Sequence, residues 1–121
     1  MKSYLINPEA RTINEVEYDG DYHSIYGFIG ADTFDVVGIE KGDGIYVDDE
    51  GLLKGPSHFF HVRGMATPLA GNGLVLGSND DGESIEPKIT LETLRERVRW
   101  ATPVKVNKRV IWIMVPVGEP A

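Results

Sequence analysis

Ile45-Tyr46-Val47-Asp48-Asp49-Glu50-Gly51-Leu52-Leu53-Lys54-Gly55, followed by Leu69-Ala70-Gly71-Asn72-Gly73-Leu74-Val75-Leu76-Gly77, is the stretch on which the fold turns. An apolar, β-rich run stops at an acidic turn, resumes, and stops again at a glycine pair before a further β-run. Asp, Asn and Gly supply turn geometry directly, and Asn72-Gly73 is a strong turn dipeptide between strands. The spacing predicts a hairpin of Ile45–Val47 with Leu52-Leu53, and a short strand at Leu74–Leu76.

Tyr4–Ile6 and Thr12–Tyr18 flank the Asn7-Pro8 turn signal and predict a first hairpin. Tyr22, Ile25, Tyr26 and Ile29 recur at helical spacing, with Asp19 or Asp21 as cap and Gly30 at the C′ position. Phe34, Val36 and Val37 open the next β-rich segment, and Phe59–Val62 predicts another strand. Residues 78–88 are the most loop-like part of the chain. Thr90 is a suitable N-cap for a helix over Leu91–Ala101, whose stripe is Leu91, Leu94, Val98 and Ala101, with Pro103 as its stop. Val110-Ile111-Trp112-Ile113-Met114-Val115 is apolar at every position. A strand covered on both faces has that composition, which predicts a central place in a sheet or a packed interface. The expected fold is α+β: one domain, residues 1–121, with an antiparallel sheet of five or six short strands and two helices packed on it. Within it, 1–84 form an acidic β-rich body, and 85–121 a helix plus a long apolar strand.

The chain has 121 residues, no cysteine and a net charge of −7. Disulfides and thiolate metal sites are excluded, and a soluble, cytoplasmic protein is expected. Neither a signal-peptide run nor a membrane-length apolar segment is present in the sequence. Residues 1–84 carry five basic side chains against 15 acidic ones, and residues 85–121 seven against four. An acidic body repels phosphate, so nucleic acid is not the expected ligand.

The candidate chemistry thins out under spacing rules. His58 and His61 are three apart, which brings two metal ligands together on a helix but sends them to opposite faces of a strand. Asp48-Asp49-Glu50 and Asn79-Asp80-Asp81-Gly82 lack the ligand spacing of a calcium loop. Gly71-Asn72-Gly73 leads into a strand instead of opening a helix, so it is not a dinucleotide fingerprint. No serine sits in a nucleophile elbow. The expectation is therefore no catalytic residue, no metal and no cofactor.

What is left is surface. Asp48, Asp49 and Glu50 mark an acidic turn. Arg95 and Arg99, four apart on the expected helix, share a face that suits an anionic ligand or the acidic body of a second copy. Trp112 lies in the apolar run 110–115, through which a homodimer is expected.

The same residues, from Ile45 to Lys54, then Ala66, then Leu69 to Gly77, resemble a family of small domains of unknown function common in phages, prophages and conjugative elements. The likeness covers residues 3–79. It implies the fold and a mobile-element setting, and brings no catalytic residues with it. Gly55-Pro56-Ser57-His58 departs from the family's polar turn, and the segment after residue 84 reads as an extension of this chain's own. Three functions follow as expectations: a non-enzymatic binding or accessory protein acting on a protein partner or small ligand; an acidic DNA-mimic or defence-countering inhibitor; and a small enzyme centred on His58 and His61.

Overall fold

A computed structural model describes residues 1–118. In chain order the elements are β1 (Lys2–Asn7), β2 (Thr12–Glu17), α1 (His23–Ile29), β3 (Phe34–Gly38), β4 (Gly44–Asp48), β5 (Phe59–Val62), β6 (Leu69–Ala70), β7 (Gly73–Ser78), β8 (Ser84–Ile85), α2 (Leu91–Arg97), β9 (Val98–Val106) and β10 (Arg109–Pro116). The class is α+β with two helices, and the strands divide into two antiparallel sheets where one was expected. Six strands form the first, in the order β2-β1-β7-β4-β3 with β8 paired to the far end of β7; four form the second, in the order β10-β9-β5-β6.

β7 is the strand that organises the body. Its side chains alternate between two cores, as period-2 geometry requires. Leu74 and Leu76 pack with Tyr18, Ile25 and Ile29 beneath α1. Val75 faces the other way, into the main core of Tyr4, Ile6, Ile45, Phe60, Leu94, Val98 and Trp100. α1, the first sheet, and the second sheet with α2 thus form three layers. Gly73 allows the second sheet to come close, since a Cβ there would meet Phe60 Cζ at 2.8 Å and Ile45 Cγ2 at 2.7 Å.

The helix starts follow the local chemistry. The N-cap of α1 is Tyr22, with no side-chain cap hydrogen bond, and not Asp19 or Asp21 as expected. Asp21 accepts the His23 N–H at 3.0 Å and Asp19 the Ser24 hydroxyl at 2.7 Å just before and within the first turn, and α1 closes on Gly30 with φ 66°. Thr90 Oγ1 accepts the Thr93 N–H at 3.1 Å, an N-cap as expected.

Three further expectations are corrected. α2 ends at Arg97 instead of Ala101, because Val98, Arg99, Trp100 and Ala101 pair with β5 from Val62 to Phe59. Val98 and Ala101 fit the helical stripe, but Val98 and Trp100 equally fit a strand burying one face, and sheet pairing decides between the two periods. Pro103 therefore stops no helix; it lies within β9, where that strand has lost β5 as a neighbour and a missing N–H is tolerated. Leu52-Leu53 is not a returning strand. Gly51–Lys54 is a 3₁₀ turn with Leu52 and Leu53 exposed, held where Lys54 Nζ reaches Asp48 at 2.8 Å.

The apolar run 110–115 lies on β10, at the edge of the second sheet and not at its centre. β5 ends opposite Ala101, so beyond it β9 and β10 have only each other, from the Thr102–Ile113 pair out to Val106–Arg109. Two-sided apolarity was the right sign of a covered strand, and β7 is that strand; in β10 the same pattern is left open.

Candidate functional site

The sequence places four basic side chains and no acidic one in residues 98–118, against eight basic and 18 acidic in residues 1–97. The β9–β10 arm is thus a cationic ribbon on an acidic body. Register puts Val104, Val106, Ile111 and Ile113 on one face and Val110, Trp112 and Met114 on the other. Exposure is 57% at Val110, 50% at Ile111, 51% at Ile113 and 38% at Met114. Val104, Trp112 and Val115 are half-buried, Trp112 by an edge-on contact with Phe59 at 4.9 Å between ring centroids. The ribbon is closed by Asn107 and Lys108, with φ of 49° and 68°, the left-handed pair that a two-residue hairpin turn demands.

At the root of the arm, an open cleft of about 830 Å³ is lined by Arg63, Leu91, Glu92, Arg95, Glu96, Arg99, Pro116 and Val117. Arg99 Nη1 donates to the Glu96 carbonyl at 2.9 Å, and Arg63 Nη2 donates to that same oxygen at 3.4 Å. Two guanidinium groups therefore satisfy one orphan carbonyl at the C-terminal end of α2, where cations are favoured. Arg95 is committed elsewhere: its Nε and Nη2 both donate to the Ile13 carbonyl, at 3.2 and 2.6 Å. Arg97 pairs with Glu40 at 2.7 Å, and the Arg97 hydrogen bond is the first reason the Glu40 carboxyl lies below its ordinary pKa. Among the described residues, Arg63, Arg95 and Arg99 have no carboxylate within ion-pair distance.

The expected residues are only partly brought together. Arg95 and Arg99 line one cleft, although not from one helix face as expected: Arg95 is on α2 and Arg99 on β9. Trp112 is further along the same arm. Asp48, Asp49 and Glu50 lie apart from them, in the turn after β4. There Asp48 and Asp49, without Glu50, line a cavity of about 350 Å³ with Leu52, Leu53 and Pro68. Asp48 serves the turn itself, accepting the Glu50 N–H at 2.9 Å and pairing with Lys54. His58 meets Ser57 Oγ at 3.0 Å, while His61 places Nε2 2.9 Å from the Met65 carbonyl, so the two rings point to different partners. Among the described residues no three His, Asp or Glu side chains gather as a metal-binding group. No helix among them is long and apolar enough to cross a membrane.

Arg63 is the residue the sequence did not mark. Antiparallel pairing of β5 with β9 sets His61 opposite Arg99 and brings Arg63 to the end of α2. A lone arginine after a short strand carries no signal of that neighbour 36 positions away.

Residues 1–99 match the family described as a domain of unknown function (DUF3846), and the chain belongs to it. The match takes in the loop after residue 84 and all of α2, so these belong to the family's domain, where residues 3–79 alone were expected to. The arm from Trp100 onward falls outside the matched residues. No curated protein and no solved structure matches the chain.

Proposed function

We propose that the chain is a non-enzymatic binding protein whose working element is the β9–β10 arm, and that the arm docks on a second copy of the chain. The observation that carries this is an uncovered two-stranded ribbon, apolar on both faces, with β10 left as an open edge. An isolated hairpin is marginal in water, and exposed hydrophobic edges are what monomeric proteins ordinarily blunt. Covering the ribbon supplies the third layer it lacks. Charge favours a copy of this chain as the cover, because the cationic arm and the acidic body complement one another.

A mobile-element setting belongs to the same proposal. It is supported by the strand and turn signatures of residues 45–77 and is tested by the genes that neighbour other family members.

Light scattering on the full chain, with and without the double substitution Ile111→Lys and Ile113→Lys, tests the arm. A dimer that becomes a monomer on substitution supports the reading. A monomer at high micromolar concentration in the unsubstituted chain overturns it.

A further inference from the structure

We propose that Arg63 and Arg99 form a site for a single carboxylate carried on an apolar body. The inference does not depend on how the arm pairs.

Both guanidinium groups donate to the Glu96 carbonyl, so a shared oxygen holds them as neighbours. Arg99 also reaches the Val98 carbonyl, at 3.4 Å. Each guanidinium has five N–H donors in a planar fork, and these contacts use a minority of them. Both side chains line the cleft. Two like charges held side by side repel, and the ordinary remedy is a carboxylate in fork geometry. The chain has carboxylates at hand in Glu92 and Glu96, both lining the same cleft, yet among the described residues neither is within ion-pair distance of Arg63 or Arg99. The neighbouring arginines differ: Arg97 is met by Glu40, and Arg95 is spent on a backbone carbonyl.

The rest of the lining sets the ligand class. Leu91, Pro116 and Val117 supply apolar wall, and Val117 in turn packs on the main core. Glu92 and Glu96 oppose a second or third negative charge, which disfavours polyphosphates and polycarboxylates. A monocarboxylate with an aliphatic or similarly apolar body satisfies all three features.

The test titrates the full ¹⁵N-labelled chain with sodium hexanoate and, separately, with inorganic phosphate. The expected result is saturable binding of hexanoate that moves the side-chain Nε–H signals of Arg63 and Arg99, with phosphate binding more weakly. Arg63→Gln and Arg99→Gln each weaken hexanoate binding about three- to tenfold, as loss of one exposed, charge-assisted contact implies. Arg63→Lys and Arg99→Lys keep the charge without the fork and give intermediate losses, which separates recognition from loss of folding. Equal weakening by Arg109→Gln, which removes the same charge at the far end of the arm, overturns the proposal. So does phosphate binding as tightly as hexanoate, or no saturation. The Ile111→Lys/Ile113→Lys chain retains hexanoate binding, so the site and the self-association of the arm fail or stand separately.

Discussion

Asp43, only 2% exposed, accepts the backbone N–H of Ile89 at 2.8 Å across 46 positions of sequence, while its second oxygen accepts the N–H of Lys88 at 2.9 Å. The carboxylate of the turn before β4 thus anchors the segment leading into α2. Tyr4 adds a second tie, donating its hydroxyl to the Ile89 carbonyl at 3.0 Å.

Replacing Asp43 with Ala leaves the buried Ile89 N–H and the part-buried Lys88 N–H without their acceptors. A hydrogen bond to a charged group contributes about 1.5–3 kcal/mol, so the loss expected is about 3 kcal/mol or more. Asp43→Asn keeps one acceptor oxygen and is expected to lose less. Urea denaturation midpoints of the two variants against the parent check the order.

Gly77→Ala is expected to destabilise by about 1–3 kcal/mol, the usual range for overpacking. A Cβ there would lie 2.7 Å from the Glu86 carbonyl oxygen and 3.1 Å from Asp43 Oδ1. Gly27→Ala is the control, because nothing lies within 4 Å of its added Cβ. Alanine also suits a helix interior better than glycine by up to about 1 kcal/mol. Thermal unfolding of the pair is expected to move in opposite directions.

Stability is expected to fall at both pH extremes through Asp48 and Lys54. Burial on its own raises the Asp48 carboxyl; the hydrogen bond from Lys54 and that from the Glu50 N–H outweigh it, and the net shift is downward. Such a group stabilises above its unfolded pKa and loses that contribution as pH falls through its folded one. Asp19, lowered first by the Ser24 hydroxyl, and Asp21, lowered first by the His23 N–H, act in the same direction. Lys54 is raised, chiefly by its hydrogen bond to Asp48. Its contribution is therefore full below the unfolded value and is lost as pH rises through the folded one. Lys54→Met is expected to flatten the acid limb of a plot of urea midpoint against pH. An acid limb identical to the parent's would show that the pair carries none of it.

Lys108→Gly is expected to stabilise the arm by a few tenths to about 1 kcal/mol, since Lys108 sits at φ 68°, which costs a side-chain-bearing residue what glycine avoids. Amide hydrogen exchange over residues 102–113 reads the effect locally. Slower exchange there, with no change in β7, is the expected pattern.

Most of the strands and the start of both helices were legible because their signals are local. Asn7-Pro8, Gly30, Thr90 and Asn72-Gly73 punctuate the chain by their own backbone preferences. What was not legible depended on partners. Val98 to Ala101 fit two periodicities, and only β5 chooses between them. Asn107-Lys108 lacks the glycine that advertises a two-residue hairpin turn, so the segment after the second helix read as one long apolar strand and the turn stayed hidden. The candidate site was legible in half: the basic cluster at 95–99 stands out in an acidic chain, whereas Arg63 joins it only through cross-strand pairing.

The ribbon also differs from the body in when it can form. Its two strands meet through a two-residue turn, whereas β7 needs partners around Leu5 and Tyr46, tens of residues back along the chain. Local pairings close faster than distant ones. During refolding, the arm would present its two apolar faces before the body's three layers exist to compete for them. The yield of refolded protein should therefore depend steeply on concentration, and more so for the parent chain than for Ile111→Lys/Ile113→Lys.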